Sequence, residues 1–382
     1  MKQIYGAELD YSLLVKKEMN YSIARPFHFF DNSTIQLFKK YCYFWTMIQE
    51  NVSLKKYNTF GIEAKAKRFA VFSTTEELNE ILQQSNEDEL LILGGGSNLL
   101  LTQDFEGLVI RNEIKGFEVV NESENDVCIK VGSGEVWHEF VLRSIENNFG
   151  GVENLSLIPG SVGASPMQNI GAYGVEIKDV FIELEAYHIE TGKVKIFSHK
   201  ECRFGYRESV FKRELKGEYI IVSVTYRLTK NKHQIKASYG AIQSELESNH
   251  IDSPSIKDIS DAVIAIRSSK LPDPKEIGNA GSFFKNPVVD RSILEKIQLS
   301  KKNVPNYPAP NNQVKLAAGW LIEQAGWKGK TFDNYGVHKN QALVLVNYSD
   351  CTGEDILNLS TQIIEDVKVK FEITLEREVN II

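Results

Sequence analysis

The chain has 382 residues, of which 42% are hydrophobic and 25% are charged, and this globular composition excludes a fibrous or wholly disordered protein. The length predicts two or three compact units, each with its own core. The net charge of −7 gives no basic surface of the kind that binds a phosphate backbone, so we expect no nucleic-acid partner.

The four cysteines lie far apart and form no CxxC or Cys/His cluster, so neither a disulfide framework nor a metal site is expected. The sequence has no run of about 18 apolar residues, and its N-terminus lacks the order of a signal peptide. We therefore expect a cytoplasmic protein without membrane insertion, and a monomer by default.

Residues 1–46 are rich in aromatic side chains and contain no motif that we can assign. Translation could begin at Met47, which would make these residues an upstream artefact, or they could be a family-specific extension of unknown role. The mass of the native protein distinguishes the two hypotheses.

The rest of the chain alternates short apolar runs with amphipathic stretches, which predicts a mixed α+β protein. Thr74 and Glu77 form a capping-box pattern at the start of the first predicted helix. We predict strands at 69–72, 90–93, 107–111, 117–121, 127–131, 180–189 and 219–228. We predict helices at 75–84, 136–147, 255–268, 314–325 and 354–371.

The chain contains two glycine-rich segments, and the first follows a predicted strand. The first is Gly-Gly-Gly-Ser-Asn at 94–98, a turn whose backbone N–H groups could bind a phosphate. Leu99 stands where a dinucleotide fingerprint needs its third glycine, so a Rossmann crossover is not supported. A Walker loop ending at Gly329-Lys330-Thr331 fails because Gln324 replaces its first glycine. Taken alone, this turn is more often a tight turn in an ordinary sheet than a phosphate site.

The second segment spans residues 158–174 and contains four glycines and two prolines. Such a stretch is a poor helix or strand, but it is a suitable wall for a planar cofactor with a diphosphate. A purely structural loop is the alternative, although long loops inside compact domains usually have a function.

Three motifs occur in order: Asn-Thr-Phe-Gly at 58–61, Gly-Gly-Gly-Ser-Asn at 94–98, and Ile-Pro-Gly-Ser-Val-Gly-Ala-Ser-Pro-Met-Gln-Asn-Ile-Gly-Ala-Tyr-Gly at 158–174. Together they resemble the UDP-N-acetylenolpyruvoylglucosamine reductase family, over residues 54–379. The resemblance implies an α+β fold, with a two-subdomain FAD-binding module of the vanillyl-alcohol-oxidase (PCMH) type and a smaller α+β substrate-binding domain.

The resemblance also implies domain limits. It places FAD-binding subdomain 1 at 47–112, subdomain 2 at 113–268, the substrate-binding domain at 269–372, and a C-terminal strand with a catalytic glutamate at 373–382. FAD is expected to bind without a covalent link, at Gly94, Gly95, Gly96, Ser97, Asn98, Pro159, Gly160, Ser161, Gly163, Ala164, Ser165, Asn169, Gly171, Ala172 and Tyr173.

The implied reaction uses NADPH as hydride donor and reduces UDP-N-acetylglucosamine enolpyruvate to UDP-N-acetylmuramate for peptidoglycan synthesis. Arg207, in Arg-Phe-Gly-Tyr-Arg-Glu-Ser, matches the arginine that meets the developing negative charge. Ser282 matches the proton donor. Glu378 matches the catalytic glutamate, which could act as an acid or order a water.

Four residues match substrate contacts of the longer-loop form of the family: Tyr239, Lys270, Asn286 and Gln324. Tyr239 and Lys270 are expected on the diphosphate. The sequence departs from the family pattern at Asn380, where an arginine is usual, and this puts the charge balance around Glu378 in doubt.

Two other functions are compatible with an FAD fold. One is an oxidase that passes electrons from an alcohol to molecular oxygen, and the other is a flavin-storing or scaffold protein without turnover. The joint presence of Arg207, Ser282 and Glu378 in their motifs favours the reductase.

Overall fold

The computed structural model describes residues 48–85 and 89–382, so the extension at 1–46 lies outside the described residues. The first part of the chain contains β1 (Ile48–Ser53), β2 (Lys65–Phe72), α1 (Thr75–Gln83), β3 (Leu90–Leu93), β4 (Leu99–Leu100) and β5 (Phe105–Asn112). Four strands form a sheet in the order β1-β2-β5-β3, in which β5 is parallel to both neighbours. The turn at 94–98 therefore leaves the carboxyl end of β3.

Helix α1 begins as its capping pattern predicts. The Thr74 hydroxyl accepts from the Glu77 backbone N–H at 3.1 Å, while the Glu77 carboxylate accepts from Ser73 N rather than from Thr74 N. The side chains of Leu78 and Ile81 are buried on one face of the helix, which is the amphipathic spacing that places a helix on a sheet.

The second part contains β6 (Phe117–Glu122), β7 (Asp126–Gly132), α2 (Trp137–Glu146), β8 (Gly171–Ala172), β9 (Val175–Glu176), β10 (Phe181–His188), β11 (Val194–Ser198), α3 (His199–Cys202), β12 (Tyr219–Thr229), α4 (Gly240–Ser248) and α5 (Ile256–Lys270). Five strands form an antiparallel sheet in the order β11-β10-β12-β7-β6. Trp137, Phe140 and Tyr226 pack together beneath it, which gives this part a core of its own.

The third part contains β13 (Gly278–Ser282), β14 (Val288–Asp290), α6 (Arg291–Gln298), β15 (Asn306–Pro308), β16 (Gln313–Leu316), α7 (Ala318–Gln324), β17 (Thr331–Phe332), β18 (Tyr335–Val337), β19 (Val344–Asn347), α8 (Gly353–Phe371) and β20 (Asn380–Ile381). Its main sheet has the order β13-β19-β18-β17. Within residues 48–85 and 89–382, no helix, α8 included, has both the length and the apolar character that a membrane crossing needs.

Two predictions for this part are wrong. The helix predicted at 314–325 begins only at Ala318, because Gln313–Leu316 is a strand that pairs with both β14 and β15. Val314 and Leu316 are buried while their neighbours are partly exposed, which is the period of two of a strand. The strand predicted at 373–382 is reduced to Asn380–Ile381, preceded by an isolated bridge between Phe284 and Arg377.

The largest buried cluster joins the first and third parts. Phe60 and Leu100 of the first part share this core with Phe283 and Ile363 of the third. In addition, β20 pairs in parallel with β4. Residues near the end of the chain therefore lie directly beside the glycine turn that precedes β4.

Candidate active site

The two glycine-rich segments are in backbone contact. A Cβ built on Gly95 would lie 2.8 Å from the Gly160 Cα, and one on Gly94 would meet the Ser161 Oγ. A Cβ on Gly160 would lie 3.0 Å from the Ser97 Oγ. Side chains at these glycines would separate the two segments, so the prediction that the segments face each other agrees with the geometry.

The first turn needs glycine for its own conformation. Gly96 has a φ of +61°, and a Cβ there would lie 1.9 Å from the Tyr57 carbonyl oxygen. The Thr59 N–H donates to the Gly96 carbonyl at 3.0 Å, and the Thr59 carbonyl accepts from Asn279 N. The Asn-Thr-Phe-Gly motif thus fixes the turn and links it to β13, the strand that ends at Ser282.

Two predicted cofactor residues of the second segment use their side chains to hold the segment itself. Asn169 is fully buried and donates to the Glu176 carboxylate and to the Gly205 carbonyl. Ser165 is buried and its hydroxyl lies 2.7 Å from that of Tyr226. Neither side-chain polar group is free to bind a ligand. The other predicted residues lie along the same backbone: Pro159, Gly163, Ala164, Gly171, Ala172 and Tyr173.

Asn98 connects both segments to the end of the chain. Its Nδ2 donates to the Gln168 Oε1 at 3.0 Å and to the Glu378 carbonyl at 3.3 Å. Its carbonyl accepts from the backbone N and the side-chain Nδ2 of Asn380, at 3.1 and 2.9 Å. Asn380, which stands where the family usually has an arginine, is therefore a neutral side chain that is hydrogen-bonded to the glycine turn.

Arg207 and Glu378 form a mostly buried ion pair. The Arg207 Nε lies 3.0 Å from the Glu378 Oε1, and the two side chains are 21% and 13% exposed. The Nε–H does not point at that oxygen closely enough for a hydrogen bond. The Arg207 Nη2 donates to the Gly171 carbonyl at 2.8 Å, so this cation touches the second glycine-rich segment.

Arg207 has a φ of +56°, in the left-handed region that side chains other than glycine seldom adopt. Such strain persists only where surrounding contacts enforce it, and it is frequent at functional sites. Here the backbone hydrogen bonds between Gly205 and Glu208 enclose Arg207 in a tight turn, and its guanidinium is fixed by Gly171.

Burial raises the pKa of Glu378, and the nearby cations Arg207, Lys212 and Lys285 oppose this rise without cancelling it. A raised pKa increases the protonated fraction of a carboxyl near neutral pH. Glu378 is therefore suited to hold a proton that a surface glutamate would release.

Ser282 lies one residue from the backbone that pairs with Glu378. The Phe283 carbonyl accepts from the Glu378 N–H at 2.8 Å. Gly281, with a φ of +69°, turns the chain just before the serine. Ser282 is exposed, and within the described part of the chain its hydroxyl forms no hydrogen bond. The structure thus brings the three predicted catalytic segments together.

Two of the predicted substrate residues, Asn286 and Tyr239, lie near residues of the candidate site. The Asn286 Oδ1 accepts from the Ala318 N–H at 2.9 Å and so caps the start of α7, while the rest of the side chain lies close to Tyr206. Tyr239 precedes α4 and packs edge-on against Tyr173, with ring centroids 5.3 Å apart. Burial is the largest cause of its raised pKa, and Tyr307 adds to it, so Tyr239 also lies beside β15.

The other two predicted substrate residues differ from each other. Lys270 ends α5 with an exposed side chain, available to an anion. Gln324 ends α7, roughly 9 Å along the helix from Ala318, and its carbonyl accepts from Lys370. No contact among the described residues brings Gln324 to the Arg207–Glu378 pair, so its assignment lacks structural support.

Sequence reasoning missed Lys315. Its Nζ lies 4.5 Å from the ring centroid of Tyr206 and 5.8 Å from that of Tyr307. Burial lowers its pKa, Glu176 opposes this effect, and Arg207 adds to it. The wrong helix prediction hid this residue, because only a strand directs Lys315 away from the buried Val314 and Leu316.

Two cavities of about 310 and 380 Å³ lie elsewhere. The first is lined by the start of α1 with β7 and β12, and the second by α2 with β6. Neither includes a residue of the glycine-rich segments. We therefore define the candidate site by the contact of these segments and by the buried ion pair.

Two stretches of the chain match known protein families. Residues 66–198 match the FAD binding domain family, and residues 273–382 match the UDP-N-acetylenolpyruvoylglucosamine reductase C-terminal domain. The chain is an FAD-dependent oxidoreductase, and the predicted α+β fold with an FAD-binding module is confirmed.

The chain belongs to the UDP-N-acetylenolpyruvoylglucosamine reductase family. It is 56% identical to the reductase of that name from Flavobacterium johnsoniae, over 88% of this chain and 99% of the relative. It is 47% identical to that of Pseudomonas fluorescens strain Pf0-1, over 87% and 98%. The crystal structure of the reductase (MurB) from Thermus caldophilus shares the fold, with 24% identity, 87% and 99% coverage and a TM-score of 0.62.

Proposed function

We propose that this protein uses NADPH to reduce UDP-N-acetylglucosamine enolpyruvate to UDP-N-acetylmuramate through bound FAD, in the synthesis of peptidoglycan precursors. The observation that carries the proposal is the buried Arg207–Glu378 pair, which lies beside the segment of Ser282 and touches the second glycine-rich segment. The names of the relatives support the substrate.

The glycine-rich segments fit a dinucleotide cofactor. Gly94, Gly95 and Gly160 are not buried, and their backbone N–H groups would bind a diphosphate. Bound FAD supplies a two-electron carrier between NADPH and the enolpyruvyl double bond. Gly160 and its neighbours would hold the diphosphate, while Asn169 and Ser165 keep the wall rigid.

Arg207 would stabilise the negative charge that develops on the enolpyruvyl carboxylate during reduction. Its guanidinium is held by the Gly171 carbonyl and by the Glu378 carboxylate. A donor that is already oriented in a partly buried site need not reorganise as the charge forms. Water, in contrast, would have to reorient.

The Ser282 hydroxyl would donate the proton to the carbon next to the carboxylate. A serine is a weak acid, so this transfer depends on the strong basicity of the carbanion-like carbon. Glu378, whose pKa is raised by burial, would either polarise the intermediate as an acid or hold the water that returns a proton to Ser282.

Two lysines that form no ion pair within residues 48–85 and 89–382 would bind the diphosphate of the nucleotide. Lys270 lies at the end of α5 and Lys315 lies on β16. Tyr307 is close to both Lys315 and Tyr239. Lysine suits phosphate as a compact point charge. The proposal also includes the domain limits 47–112, 113–268, 269–372 and 373–382. It places the protein in the cytoplasm.

The test is an anaerobic two-step titration of the purified flavoprotein, followed by its absorbance. We expect NADPH to bleach the flavin and the enolpyruvyl nucleotide to restore it. Failure of the nucleotide to reoxidise the reduced flavin would contradict the proposal, and substrate-dependent peroxide formation in air would favour the oxidase. NADH in place of NADPH tests the choice of donor.

A further inference from the structure

Lys285 is a buried cation between two predicted site residues. It lies three residues after Ser282 and one before Asn286, and only 9% of it is exposed. Its Nζ lies 2.5 Å from the Glu376 Oε1 and 3.4 Å from the Glu208 Oε1. Lysine is seldom buried unless its charge is paired, and here it is paired twice.

The two partners of Lys285 belong to the other two catalytic segments. Glu208 follows Arg207 directly in the chain, and Glu376 precedes Glu378 by two residues. The backbone agrees, because the Lys285 N–H donates to the Glu376 carbonyl at 2.9 Å. One side chain therefore joins the three segments that carry Arg207, Ser282 and Glu378.

Glu208 is itself fixed from a second side. Its Oε2 lies 2.5 Å from the Arg213 Nε, so Arg213 and Lys285 bind opposite oxygens of one carboxylate. Rotation of the Glu208 side chain would break one of the two ion pairs. The position of the backbone at Arg207, which is strained, is thereby tied to the position of Lys285.

We propose that Lys285 is a positioning residue for the reductive chemistry: its ammonium holds the Arg207 and Glu378 segments against the Ser282 segment and sets the electrostatic field at Glu378. The inference rests on the proposed function and adds a residue to it. Lys285 itself need not touch the substrate.

The field at Glu378 comes from three cations on different segments. Burial raises its pKa, and the positive charges of Arg207, Lys212 and Lys285 oppose that rise. The negative charge of Glu378 in turn helps to raise the pKa of the neighbouring Tyr206. Lys212 lies among Glu208, Glu376 and Glu378, and burial lowers its pKa. Removal of the Lys285 charge should therefore raise the pKa of Glu378 further.

The test compares Lys285→Met, Lys285→Gln and Lys285→Arg in the full-length FAD-loaded enzyme. We expect the two neutral variants to slow flavin reoxidation by the enolpyruvyl nucleotide by about tenfold or more, since misplaced catalytic groups lose rate steeply. Flavin reduction by NADPH should change by less than about twofold. The pH limb of kcat/KM that reports Glu378 should move to higher pH, and Lys285→Arg should keep it in place.

Lys296→Met is the matched control, because Lys296 pairs with Glu372 on the surface, with both side chains more than half exposed. It should leave both half-reactions and the pH profile unchanged. Lys285→Gln keeps hydrogen-bond donors and guards against a folding failure of Lys285→Met.

Two results would overturn the inference. One is a neutral variant with unchanged reoxidation rate and pH limb. The other is an equal loss in both half-reactions with a lower melting temperature, which Lys285→Arg fails to restore, because that pattern means a purely structural role. If the unaltered enzyme is not reoxidised by the nucleotide, the proposed function fails instead, independently of Lys285.

Discussion

Replacing Gly95 by alanine tests the central spatial claim, that two distant glycine-rich segments form one cofactor wall. The new Cβ would lie 2.8 Å from the Gly160 Cα and 3.2 Å from its carbonyl carbon. Both neighbours are backbone atoms, so no side-chain rotation can relieve the clash. The segments at 94–98 and 158–174 must move apart.

The required movement is about 0.6 Å to reach ordinary contact, and overpacking of this kind typically costs about 1–3 kcal/mol. Since each 1.4 kcal/mol is a factor of ten in an equilibrium constant, the dissociation constant of FAD should rise roughly 5- to 150-fold. We expect this free-energy cost to weaken FAD binding, because both segments must approach the same diphosphate when the cofactor is bound.

The assay is FAD titration of the apoprotein by fluorescence quenching, with a thermal melt of the same samples. Gly240→Ala is the control, because a Cβ on this glycine has no heavy atom within 4 Å and its φ is not in the left-handed region. If Gly95→Ala binds FAD with unchanged affinity, then cofactor binding does not depend on the contact between the two segments, and the claim is refuted.

Three further predictions address the reacting end of the site. Ser282→Ala should retain FAD but slow flavin reoxidation by the nucleotide about 10²- to 10⁴-fold, the usual contribution of a proton donor; near-normal turnover would remove Ser282 from this role. Folding raises the pKa of Glu378 above its ordinary 4.5, so the folded protein binds more protons at this residue than the unfolded chain does. The contribution of Glu378 to the free energy of unfolding therefore falls as the pH rises above about 4.5. Urea unfolding should therefore show Glu378→Gln gaining stability relative to the unaltered protein between about pH 4 and 7, and a constant difference would contradict the pKa shift. Lys315→Met should raise KM for the nucleotide about tenfold with a smaller effect on kcat, and steady-state kinetics with an unchanged KM would exclude a contact with the diphosphate.

Local sequence signals predicted much of the fold. Thr74 and Glu77, for example, predicted the start of α1, where the Thr74 hydroxyl accepts from the Glu77 N–H. Such signals act within one turn of the chain, so they can be recognised without tertiary contacts. Four of the five strands of the antiparallel sheet were also predicted, because their apolar residues alternate or run together. Strand β11 was missed, since only one of its five residues is buried.

The wrong secondary-structure prediction arises where pairing with strands distant in the sequence determines the conformation. Val314 to Leu316 could continue the helix that follows, and only pairing with β14 and β15 makes this stretch a strand. Lys285 was missed for a similar reason. Its partners Glu208 and Glu376 are 77 and 91 residues away, and no spacing rule links them. The motifs located Arg207, Ser282 and Glu378, but the ion pairs that hold them required the structure.

The pairing of β20 with β4 has a consequence for biogenesis. Asn98 and Glu378, which share a hydrogen bond, are 280 residues apart, and at about 5–20 residues per second a ribosome needs roughly 14 to 56 s to make that stretch. For this interval the nascent turn at 94–98 lacks the backbone that later covers it. The contacts of Asn98 with the C-terminal segment, and the Arg207–Glu378 ion pair, can thus form only after nearly the whole chain has been translated, so this part of the candidate site is assembled late in synthesis.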